Sequence, residues 1–262
     1  MRSMGILTIV LAAARVESHG GIYNYKIDGI DYAGHYPWLP EEGQVSIQRR
    51  WWPDPILTTQ HPNLACNRGN PAAKTLPKLH APVRAGANVT ACPPYGDYDP
   101  PMKCQGPEYY WPHGQGPVMV YMANCEGPCD EWDGTGKRWF KVWETGYSRT
   151  SWPEWQPRPI PGDTPISTCD AWEAGYYIVR RGVNMTIPKP LKPGNYLIRH
   201  EVINLEANLQ IYPECAQLNL TSEGDAVPSP EYLVEFPGAY RDITEPRKLN
   251  FRYIARTKEH YI

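Results

Sequence analysis

The chain has 262 residues, 29 of them Pro and 22 Gly, about a fifth of the total where average usage is about an eighth. That excess excludes a helical bundle or coiled coil, yet stays below the composition of a disordered chain. With 26 Lys and Arg against 28 Asp and Glu the net charge is -2, which excludes a charge-driven binder of nucleic acid or anionic membrane.

From the N-terminus, Arg2 precedes an apolar run, Gly5–Ala14, and Val16-Glu17-Ser18 offers short residues at a cleavage point. The pattern predicts a secretory signal peptide over residues 1–18, too short to span a bilayer, and a secreted mature chain that begins at His19. No later run approaches the ~18 apolar residues of a membrane helix, and the C-terminal YIARTKEHYI lacks the tail of a lipid-anchor signal. No membrane partner is expected.

Strand-like runs dominate after residue 115. Pro117–Ala123, Trp139–Trp143, Asn195–Leu205, Leu209–Tyr212 and Ala216–Leu220 are short, rich in β-formers and bounded by Gly, Pro, Asn or Asp. Helical periodicity is absent. Long Pro- and Trp-rich loops span Trp51–Asn70, Pro93–Gly116 and Ser148–Glu173. The pattern predicts an all-β sandwich, and loops of that length on such a scaffold usually carry function. We expect one domain over 19–240 and a charged C-terminal extension over 241–262, with no separate carbohydrate-binding module. The aromatics are skewed, 10 Trp and 18 Tyr against 3 Phe, toward rings with a polar handle that suit a wet interface.

Seven cysteines, all beyond residue 18, are disulfide candidates in a secreted chain. Cys125-Glu-Gly-Pro-Cys129 is a plausible local bridge across turn residues. A zinc site would want a second close pair, and Cys92/Cys104 is too widely spaced. Three Asn-X-Thr sequons, at Asn88, Asn184 and Asn219, are N-glycosylation candidates.

The sharpest chemical feature is His19 at the predicted mature terminus. A free α-amino group and an imidazole on one residue can chelate a metal together, and neutral nitrogen ligands suit copper. Position alone would leave a chance histidine as good a reading. The surrounding residues decide between them.

His19-Gly20-Gly21-Ile22 followed by Ile27-Asp28-Gly29-Ile30-Asp31-Tyr32-Ala33-Gly34-His35-Tyr36-Pro37 resembles the start of fungal lytic polysaccharide monooxygenases of auxiliary activity family 9. The resemblance continues through Ala65-Cys66-Asn67, Gly116–Ala123 and Trp139–Val142. It is strongest over Tyr196–Glu201 with Gln210–Gln217, and it ends at Phe236–Tyr240. The blocks lie in the family's order and cover nearly all of 19–240.

The resemblance implies an immunoglobulin-like, fibronectin-type β-sandwich and a copper enzyme that cleaves β-1,4-glucan oxidatively at C1 and/or C4. The partners implied are polysaccharide, an external electron donor and O2 or H2O2, and a monomer is expected. One copper would be held by the amine and ring of His19 and by His113, with Tyr212 axial. Gln210 and His200 would sit beside the copper as hydrogen-bonding groups. The departure at His113-Gly114-Gln115-Gly116-Pro117, one residue longer than the family's usual spacing, bears on ligand geometry. The stretch between His200 and Gln210 is short, with Glu206-Ala207-Asn208 where many members carry a histidine-containing insert. Tyr23, Tyr25, Tyr32, Trp38 and Tyr240 are candidates for a flat substrate face, with core packing an equal alternative for each. The resemblance also implies a Cys66–Cys215 pair; Cys92–Cys104 is a third candidate, leaving Cys169 over.

Three other readings stay open. A glycoside hydrolase needs two flanking carboxylates, and none stands in a recognisable pair. The same oxidative chemistry could act on xylan or xyloglucan, or the sandwich could bind carbohydrate or copper without catalysis.

Overall fold

In a computed structural model of the chain, the residues described are 20–37, 39–67, 75–91, 116–146, 182–205 and 208–240. The predicted signal peptide (1–18) and C-terminal extension (241–262) lie outside them, as do His19, Trp38, Cys92, Cys104, His113 and Cys169.

Short alternating strands build one layer. In β1 (Asn24–Ile27), β4 (Asn88–Ala91) and β7 (Val183–Thr186) every second side chain turns inward: Tyr25, Ile27, Val89, Ala91, Val183 and Met185 are buried. Period-two alternation is what a sheet covered on one side requires. With β2 (Ile30–Ala33) they form an antiparallel sheet in the order β2-β1-β4-β7. Asp28 (φ 48°) and Gly29 (φ 84°) join β1 to β2, and two positive φ values give the hairpin turn that matches strand twist.

The second layer is a five-stranded sheet, β3-β9-β8-β5-β6, made of β3 (Ala81–Arg84), β9 (Gln210–Thr221), β8 (Gly194–Asn204), β5 (Val118–Asn124) and β6 (Trp139–Thr145). Neighbours are antiparallel except β3 and β9, which run parallel. Between the layers, Tyr25, Ile27, Val89 and Met185 meet Val118, Val120, Met122, Tyr196, Ile198, Val202, Tyr212 and Leu218. The outer face of the five-stranded sheet is covered too. Met119, Tyr121, Leu197, Ile203 and Ile211 pack there against Ile56, Leu64, Trp139 and Phe236. Burial on both faces explains why β5, β8 and β9 read as apolar runs rather than alternating ones. The all-β sandwich expected from sequence is the fold observed, and among the described residues the only helical pieces are 3-10 turns.

One strand expectation is corrected. Leu209–Tyr212 and Ala216–Leu220 are not separate strands but parts of β9, which passes through Pro213. The Ile211 N–H donates to Ile56 O and the Gln217 N–H to Ile47 O, so odd-numbered nitrogens of β9 point away from β8. Pro213 therefore lacks a donor only where β8 needs none.

Two of the expected disulfides are formed, Cys66–Cys215 and Cys125–Cys129. The first closes a sequence separation of 149 residues and ties the loop before it to the middle of β9. Chain entropy assigns such a closure about 5 kcal/mol of stabilisation. Asn88, Asn184 and Asn219 all lie on strands with their side chains exposed. The Asn88 and Asn184 sequons interlock across β4 and β7, Asn88 opposite Thr186 and Asn184 opposite Thr90.

Candidate metal centre

Three chain segments meet at one end of the sandwich. β8 ends at Asn204 and β9 starts at Gln210, and the two residues are register partners. The β5 strand begins beside them: the Ile203 N–H donates to Pro117 O at 3.0 Å, and Gly116 passes so close that a Cβ there would lie 1.7 Å from Ile203 O. Only glycine, at φ 142°, permits that approach. Gly116 is three residues after His113 in the sequence.

At this end a polar chain has formed. The Tyr212 hydroxyl donates to Gln210 Oε1 at 2.8 Å, and the Asn204 amide donates to the same oxygen at 2.9 Å. Tyr212 and Gln210 share a strand face, as period two requires, with the Tyr212 ring buried and Gln210 half-buried. Asn204 is the member that sequence reasoning missed. Its register across the hairpin from Gln210 was the available signal.

The third segment is the N-terminal arm. Gly20, Gly21 and Ile22 are buried. The Ile22 N–H donates to Glu214 Oε2 at 2.8 Å, and the Gln48 amide donates to both that oxygen and Ile22 O at 2.8 Å. The Gln48 Oε1 in turn accepts the His35 N–H at 2.6 Å, and Trp51 Nε1 donates to His35 O at 2.9 Å. Glu214 lies one pleat repeat along β9 from Tyr212, on the same face. Burial pushes its carboxyl well above the usual carboxylate range, against the lowering by the Ile22 N–H and the Gln48 amide.

His200 does not join this group. It sits within β8, register partner of Glu214, on the face that carries Tyr196, Ile198 and Val202 into the interior. Its ring packs against Tyr25 with centroids 5.9 Å apart, and neither ring nitrogen has a hydrogen-bond partner among the described residues. Burial alone pulls its pKa down to about 3, so the imidazole is neutral. Asn204 thus contacts Gln210 where His200 was expected to act.

The substrate-face candidates separate in the same way. Tyr25 is fully buried, turned inward with Ile27 by the alternation of β1. Tyr23 is buried edge-on to Trp51, with centroids 5.1 Å apart. Neither can offer a ring to a solid surface. Tyr32 is half-buried on β2. Tyr240 is half-buried over the outer face of the five-stranded sheet, where its hydroxyl donates to Glu201.

Among the described residues no three His, Cys, Asp or Glu side chains converge as a metal cluster. What this end of the sandwich offers is a phenol, two amides and a buried backbone arm. Neutral oxygens of that kind suit a weak outer position beside nitrogen ligands, the donor set that copper prefers. Residues 19 and 113, which lie outside the described residues, adjoin the arm and the Gly116 approach in sequence.

A family model described as auxiliary activity family 9, formerly GH61, matches residues 19–261. Lytic polysaccharide monooxygenase D of Thermothelomyces thermophilus is 35% identical over 242 residues, 90% of this chain and 82% of that protein. Lytic polysaccharide monooxygenase B of Heterobasidion irregulare is 34% identical over 239 residues, 90% of this chain and 85% of that protein. Among solved structures, a cellulose-active polysaccharide monooxygenase from M. thermophila superposes with a TM-score of 0.63 at 34% identity, covering 84% of this chain and 86% of that one.

Proposed function

Because the chain belongs to auxiliary activity family 9, the copper-dependent lytic polysaccharide monooxygenases, we propose that it cleaves cellulose oxidatively at C1 and/or C4 with an external reductant and O2 or H2O2. Support for the polymer comes from the 34% identical cellulose-active relative. The observation that supports the site is the Asn204–Gln210–Tyr212 chain beside the Gly116 approach, with the buried arm held at Ile22 by Glu214, two residues along β9 from Tyr212.

His19 would hold copper through its amine and ring and His113 through its imidazole, with the Tyr212 phenol as a further group beside it. Copper, when bound, supplies the redox chemistry that oxygenates a C–H bond. With peroxide the balance is R–H + H2O2 giving R–OH and water; with O2, two electrons and two protons enter and one water leaves. At C1 or C4 the hydroxylated carbon then expels the glycosidic oxygen, which breaks the chain. The Asn204 and Tyr212 donors hold the Gln210 amide in one orientation, with its oxygen turned toward them. Secretion follows from the signal-peptide reading, which puts the enzyme where its insoluble substrate is.

Protein with His19 as its first residue is expected to bind one Cu(II) tightly with a tetragonal paramagnetic spectrum. The same protein with one residue left before His19 should lose most of that affinity. Equal binding by both forms contradicts the ligand assignment.

A further inference from the structure

We infer that Glu214, with Gln48, is the positioning device for the N-terminal arm, and that it sets the place of the terminal amine and imidazole relative to Tyr212. This rests on the copper reading above. Glu214 Oε2 accepts two hydrogen bonds of 2.8 Å, from the Ile22 N–H and from the Gln48 amide. That same Gln48 amide donates to Ile22 O, so the Ile22 peptide is held at its N–H and its carbonyl by one buried pair. Gln48 is fixed in turn by the His35 N–H on its other end.

Contact continues one residue closer to the terminus. A Cβ at Gly21 would lie 1.9 Å from Glu214 Oε1 and 2.6 Å from the Trp51 ring. Gly21 therefore lies against the Glu214 carboxyl group and the Trp51 ring with no room for a side chain. Glu214 is 2% exposed and Gln48 1% exposed, so water does not compete for these bonds. Since Glu214 and Tyr212 lie on one strand face two residues apart, one rigid element carries both the anchor of the arm and the Tyr212 phenol. A flexible terminus would have to be ordered each time it closed on a metal; a clamped one is ordered in advance.

The test uses the mature chain with a His19 terminus. Glu214→Ala should speed hydrogen exchange of the Ile22 amide in the metal-free protein at least tenfold and weaken Cu(II) binding about 10–100-fold, with an altered paramagnetic spectrum. Glu214→Gln should restore both, because an amide oxygen can accept the same two donors. Gly21→Ala leaves Glu214 intact but fills the gap, and should likewise weaken Cu(II) binding, which covers the case that Glu214→Ala folds poorly. Wild-type exchange at Ile22 and wild-type Cu(II) affinity in both Glu214→Ala and Gly21→Ala overturn the clamp. Failure of the unmodified chain to bind Cu(II) would instead overturn the copper reading, and the exchange rates would still judge the clamp.

Discussion

Arg199→Met is expected to destabilise the chain by about 3–5 kcal/mol, the usual cost of leaving one member of a buried ion pair without its partner. Arg199 and Glu201 are both fully buried on the outer face of the five-stranded sheet. The guanidinium meets the carboxylate through two bonds of 2.8 Å. Two further donors go to Ala65 O at 2.7 Å and Leu64 O at 2.8 Å, beside the Cys66–Cys215 bridge. Its flat face lies 3.8 Å from the centroid of the Phe236 ring, and Tyr240 adds a hydroxyl donor to Glu201. One side chain therefore joins β8, the loop before Cys66 and the C-terminal segment through Tyr240. Removing it strands a buried carboxylate and two carbonyls together. The double variant Arg199→Met/Glu201→Leu should recover part of the loss, because no uncompensated charge remains. Denaturant titrations of the four proteins in this cycle measure it; a loss below ~1 kcal/mol for Arg199→Met contradicts the assignment.

The second large effect is on pH. Buried groups are expected to act in opposite directions on stability between pH 4.5 and 6.5, His200 and His35 favouring the upper end of that window and Glu214 the lower. His200 has its pKa depressed from 6.5 to about 3 by burial. Below pH 6.5 the unfolded chain binds a proton that the native state does not, so stability falls with falling pH at about 1.4 kcal/mol per unit. Glu214 has its pKa raised above 4.5 by burial. Above pH 4.5 the unfolded carboxyl releases a proton that the native one keeps, so stability falls as pH rises. Between the two values Glu214 opposes His200, and His35, whose pKa burial also lowers, adds to the His200 side. His200→Phe should therefore tilt the profile in this window toward a decline with rising pH, and Glu214→Gln toward a rise. The same slope in both variants would show that these groups do not set the profile. The depressed carboxyls of Asp28 and Asp130 act only below 3.8 and leave this window untouched.

The parts of the fold visible in the sequence were those whose residues alone determine the element. The β5 and β8 strands are long and apolar enough to read directly, since both their faces are covered, and β6 shows through its β-forming aromatic and branched residues. By contrast β1, β2, β3, β4 and β7 have four residues each, too few for alternation to stand out, and β3 contains a proline. Apart from the β1–β2 hairpin their partners are remote in sequence, so pairing rather than propensity makes them strands. At the site, Gln210 and Tyr212 were legible because spacing along one strand fixes their common face. Asn204 was not, because its role depends on hairpin register, and His200 misled because a motif does not say how deep in the sheet a residue lies: it shares the face of Asn204 and Tyr212 but sits further along β8, in the interior. The inward turn of Tyr23 and Tyr25 was hidden as well: tyrosine is at home in a core or on a surface, and only the layer packed on β1 decides.

The most direct test of the central claim is the mass of the products. Cellulose incubated with the His19-terminated, copper-loaded protein, a reductant and peroxide should release oligosaccharides carrying aldonic acid or 4-keto ends, and none when the reductant and peroxide are withheld. Fragments of native mass only, or no fragments from cellulose, would contradict it.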